Sequence, residues 1–168
     1  MSTTKTMPES IPQPRRIWHG LALFFMSLLS LMLAGCATWQ APAEFDDSAL
    51  RARAESQQNR GVTLSAAVLS SEDSRQLFGV SVNEKEVQPV WIEVENNTDQ
   101  AVWLLRAGTD PDLFSPLEVA WSFHRTFAGE NNDRLDEHFN RLGFQNPVLP
   151  GKKQTGIIYT NPHLGTRL

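Results

Sequence analysis

Cysteine is almost missing from this chain: Cys36 is the only one in 168 residues. A single thiol excludes an intrachain disulfide, a CxxC redox motif and a thiolate zinc site. Charge of either sign is missing from Ile17 to Ala34. Basic clusters are missing from everything after residue 35. Residues 1–35 take Lys5, Arg15, Arg16 and Glu9 out of the 15 basic and 19 acidic residues, leaving 12 and 18, a net charge of −6. That balance argues against nucleic acid or bare anionic lipid as a partner, because both demand grouped Lys and Arg.

What is present divides at Cys36. Polar residues 1–16 end in Arg15 and Arg16, and an apolar run from Leu21 to Ala34 follows. A positive flank before such a run has the build of a secretory signal. An uncleaved helix is the competing reading, but 18 uncharged residues lie near the lower limit for crossing a bilayer. Leu33-Ala34-Gly35-Cys36 resembles the lipobox of bacterial lipoproteins at all four positions. The resemblance implies peptidase recognition through Leu33, Ala34 and Gly35, cleavage before Cys36, and acylation of that cysteine. It also implies a cell-envelope location. Ala37 stands where an Asp commonly retains such proteins in the inner membrane, so the expected site is the outer membrane, facing the periplasm.

The expected organisation is a signal peptide over 1–35, a lipidated cysteine and tether over 36–60, and a folded domain over 61–168. Ala37 to Asp47 reads as tether and Ser48 to Asn59 as a spacer with helical propensity. Gly61 to Ser70 alternates as a strand, and Ser70 caps a helix that Gly79 ends. Val90 to Glu95 alternates again. With Asn96-Asn97-Thr98-Asp99 as turn and Gln100 to Leu105 as second strand, it predicts a hairpin with Ile92 opposite Trp103. Trp91, Val102 and Leu104 then share the other face, which the helices are expected to cover. Ser115-Pro116-Leu117-Glu118 starts a helix reaching about Phe127. A second runs near Asp133 to Leu142 and stops at Gly143, and Thr155 to Thr160 forms a late strand. The fold class expected is α+β, a small antiparallel sandwich-like domain with a helical insertion.

Chemistry-bearing patterns are few. Three histidines follow Cys36: His124, His138 and His163. If the two helices form a hairpin, Asp136 or Glu137 could join His124 and His138 at a metal, but no HExxH spacing occurs, and a solvated helix face is the preferred reading. Glu93 and Glu95 share one strand face and are read as solubilising. Beyond residue 35 there is no Gly-x-Ser-x-Gly, no Ser-x-x-Lys and no glycine-rich phosphate loop. Asn96-Asn97-Thr98 matches a glycosylation acceptor but is read as a turn. No cofactor, metal or catalytic residue is expected.

Three stretches, Val62 to Ser70, Phe78-Gly79-Val80 through Gln88-Pro89-Val90-Trp91, and Asp110 to Pro116, resemble the N-terminal part of bacterial envelope proteins with LssY-type C-terminal regions. The resemblance spans roughly residues 50–168. Members of that group continue further, so it implies a fragment whose sheet lacks one or more strands. Two functional classes follow. One is a non-enzymatic envelope module that binds or positions another envelope protein. The other is an accessory domain of an envelope phosphatase or hydrolase.

Overall fold

The computed structural model describes residues 38–42, 46–105 and 113–162, all within one compact unit, Ala37–Leu168. The lipobox residues Leu33 to Cys36, His163 and the stretch 106–112 lie outside the described residues.

The fold is α+β. In chain order come α1 (Ser48–Arg53), β1 (Glu55–Asn59), β2 (Val62–Val68), α2 (Ser71–Phe78), a single 3-10 turn (Val82–Lys85) and β3 (Gln88–Asn96). Then follow β4 (Leu113–Phe114), α3 (Pro116–Trp121), α4 (Glu130–Leu142) and β5 (Lys152–Thr160). The five strands form one antiparallel sheet in the order β1-β2-β3-β5-β4. Central β3 pairs with β2 and with β5, so Ile92 stands between Ala66 and Gly156.

Local chemistry explains several of these elements. Ser70 accepts from the Asp73 amide while the Asp73 carboxylate accepts from the Ser70 amide, a reciprocal cap at the start of α2. Ser115 and Glu118 repeat the device at α3, with Pro116 in its first turn. Between β1 and β2, Arg60 and Gly61 both have positive φ, 47° and 83°. A two-residue hairpin loop of that hand matches the strand twist, and glycine at its second position adopts it without strain.

Alternation along β3 separates two cores. Trp91 faces the helical side and packs in a cluster with Trp39, Leu50, Phe78, Leu135, Phe139 and Tyr159. Val90, Ile92 and Val94 face the opposite side, beneath Phe144 and Val148. The covering of Trp91 by helices agrees with the sequence expectation. The hairpin does not. Residues after Asn96 leave the sheet and cross its second face, where Val102 bridges to Val148. Asn96 makes the departure possible. Its buried amide donates to the Gln100 and Val148 carbonyls at 2.7 and 2.9 Å, and its oxygen accepts from the Thr98 amide and hydroxyl. Asn146 completes the flap by bonding both the amide and the carbonyl of Leu104. Val102 and Leu104 therefore turn inward, away from the face of Trp91, while Trp103 and Leu105 are exposed and oppose nothing in the sheet.

A second correction concerns the tether expected over 36–60. The folded unit starts earlier than residue 61. Leu50 of α1 is completely buried, and Glu55–Asn59 is an edge strand instead of helical spacer. Trp39, inside the supposed tether, is 2% exposed and donates from Nε1 to the Phe78 carbonyl at 3.0 Å. Its ring meets His138 edge-on at 5.4 Å. Thus the domain closes on a residue only three positions after Cys36.

Candidate functional site

A cleft of ≈500 Å³ lies on the helical side between α2, α4 and the β3–β5 pair, with Leu77, Trp91, His138, Arg141, Thr155 and Asp47 among its walls. The sheet supplies Trp91 and Thr155 from neighbouring strands. Helix α4 supplies His138 and Arg141, one turn apart.

His138 is buried, and both its ring nitrogens are engaged. Nε2 lies 2.8 Å from the Leu77 carbonyl, and Arg141 Nη2 lies 2.8 Å from Nδ1. A carbonyl only accepts and a guanidinium only donates, so the proton sits on Nε2 and the ring is neutral. Burial is the main cause holding its pKa below the ordinary 6.5, and the Arg141 charge adds to it against the opposing Leu77 bond. The unfolded chain then binds a proton more readily than the folded one, so this group stabilises the fold above about pH 6.5 and that contribution is lost on acidification. Melting temperatures should be flat above that pH and fall below it. His138→Gln, whose amide can reproduce both bonds, should remove the part of the fall that precedes carboxylate titration. An unchanged profile in the variant would refute the assignment.

An ion-pair chain borders the cleft beside Trp91. Glu93 is buried, and its carboxylate accepts from Arg51 Nη2 at 2.9 Å and from Lys153 Nζ at 3.2 Å. Arg51 also pairs with Asp47 at 2.8 Å and stands over the Trp91 ring at 5.5 Å. Lys153 reaches Glu95 at 3.4 Å. Hydrogen bonding to Glu93 is the largest influence raising the pKa of both Arg51 and Lys153. The solubilising reading of Glu93 is thereby corrected. It lies under α1 and ties that helix to β3 and β5, whereas Glu95, further along the strand, is exposed on one side. An acid between two cations at half-exposed positions organises packing and is no acid–base dyad.

The histidine cluster is only partly assembled. His124 Nε2 meets Asp136 Oδ1 at 2.8 Å, and Trp121 Nε1 donates to the other Asp136 oxygen at 3.2 Å. Glu137 points to solvent and His138 points inward, away from both. Among the described residues no group of three or more His, Cys, Asp or Glu side chains could hold a metal ion. Among the same residues no helix is long and apolar enough to cross a membrane.

Sequence reading overlooked the Arg141–His138–Leu77 chain. Its signal was present: His138 is three residues after Leu135 and four before Leu142, on the apolar stripe of α4. Trp39 carried a weaker one, a large aromatic in a mostly polar stretch. Compared with known protein families, with curated proteins and with solved structures, the chain matches none.

Proposed function

We propose that this chain is a lipid-anchored envelope lipoprotein facing the periplasm, whose folded part is a non-enzymatic binding or scaffolding module. The observation that carries the reading is Cys36 standing directly after Leu33-Ala34-Gly35 at the end of an uncharged run preceded by Arg15 and Arg16. Each CH2 of an acyl chain buried in hydrocarbon contributes about 0.8 kcal/mol, so two or three chains suffice for stable attachment where one does not. Trp39, buried in the core three residues after Cys36, supports a domain that begins shortly after the proposed cleavage site. The cleft supports a binding role over a catalytic one: His138, its one histidine, has no free nitrogen with which to act as a base.

Metabolic labelling with an alkyne palmitate in a Gram-negative host tests the anchor. The parent chain is expected to take up label, to lose residues 1–35 and to fractionate with the outer membrane. Cys36→Ser is expected to remain unlabelled at its precursor mass. A parent chain that keeps Met1 and carries no label would overturn the proposal.

A further inference from the structure

The position of Trp39 limits how far the domain can stand from its anchor. Only Ala37 and Thr38 separate the cysteine proposed to carry the lipid from a tryptophan locked into the core. Three Cα-to-Cα steps span at most about 11 Å, however the intervening residues are arranged. A compact domain of this length has a radius of gyration of about 14 Å. The leash is therefore shorter than the radius of the body it holds. Trp39 cannot pay out more chain without leaving a pocket where its indole is hydrogen-bonded to Phe78 and packed on His138.

We propose that the lipidated protein rests directly on the bilayer, with the surface around Trp39 turned to the headgroups and the flap of residues 100–105 turned away. The inference rests on the lipid anchor proposed above. The near surface includes Gln40, exposed beside Trp39, and Gly79, where an added Cβ would stand 3.0 Å from the Trp39 indole nitrogen and 3.2 Å from the Gln40 carbonyl oxygen. Pro42, which also borders Gly79, lies on the cleft wall together with Arg141, so the cleft opens alongside this surface. The far surface is defined by the sheet. Trp39 belongs to the core on the face of Trp91, whereas Leu149 adjoins Val148 in the core on the face of Ile92. Nearness is imposed by the covalent leash and needs no affinity of the protein surface for lipid, in keeping with its net negative charge.

Fluorophore quenching on vesicles tests this. The lipidated protein carrying either Gln40→Cys or Leu149→Cys is labelled with a small fluorophore and placed in phosphatidylethanolamine–phosphatidylglycerol vesicles containing a headgroup nitroxide lipid. Quenching is expected to be severalfold stronger at position 40 than at 149. Insertion of a long Gly-Ser segment between Ala37 and Thr38 should erase the difference, and unchanged thermal melting would show that the insert leaves the fold intact. Equal quenching at both positions without the insert, or a difference that survives the insert, would overturn the inference. Mass analysis of the same samples separates the two failures. An unacylated Cys36 refutes the anchor, and an acylated one with equal quenching refutes only the close seating.

Discussion

Gly156→Ala is expected to destabilise the domain by about 3 kcal/mol or more, at the upper end of what overpacking a core costs. Gly156 lies in β5 opposite Ile92, at the centre of the sheet. A Cβ placed there would stand 2.4 Å from Phe144 Cα and 2.7 Å from Phe144 N. Both are backbone atoms, so no rotamer change relieves the clash. The Phe144 segment is also held in place. Its amide donates to the Ile157 carbonyl at 2.9 Å, and its side chain is fully buried above Val90 and Ile92. Relief requires the loop after α4 to lift from the sheet, which would uncover the second core. Thermal unfolding followed by circular dichroism should show a melting temperature lowered by roughly 10 °C for a domain of this size. A melting temperature equal to that of the parent would mean that Phe144 does not approach β5 as described.

Trp39→Ala is expected to cost about 3–5 kcal/mol, the usual range for emptying a buried aromatic site. The residue fills space against Phe78 and His138 and satisfies the Phe78 carbonyl near the end of α2. Trp39→Phe separates these contributions. It retains most of the ring packing but leaves that carbonyl without its donor, so it should cost about 1–3 kcal/mol. Urea unfolding of the unlipidated unit beginning at Ala37 measures both. A residue in a free tether would give no change in either variant, and that result would also remove the basis for close seating on the membrane.

Elements governed by neighbouring residues were legible in the sequence. Strand β2, the two capped helices, α4 with its Gly143 stop, and β5 all carry their own caps, turns or periodicity, and all occur near their expected places, although α3 ends at Trp121 and not at about Phe127, with turns taking over from Ser122. The α+β class and the antiparallel sheet follow from them. Pairing was less legible, because it is decided between distant segments. The period-two pattern of Val90 to Glu95 correctly indicates a strand with two distinct faces, but it is silent on which partner sits alongside. Sequence adjacency favoured Gln100–Leu105, while β2 and β5 take those places. Strand β1 was hidden for a different reason. All five of its residues are exposed, so no apolar alternation marks it. Of the site, the role of Cys36 is a proposal drawn from its motif alone. Glu93 was assigned to solvent because α1, which covers it, had been read as part of a spacer. His138 was grouped with His124 by residue type, although its place on the α4 stripe directs it to the interior.

The sheet order has a consequence for export. Central β3 acquires its second neighbour only when Lys152–Thr160 is available, about sixty residues after β3 itself has been made. Long-range pairing of this kind closes slowly, since the chain between must be gathered first. For a polypeptide threaded through a secretion channel, as the proposed signal would require, that delay would keep the core open while the leading residues cross and leave folding to be completed on the far side.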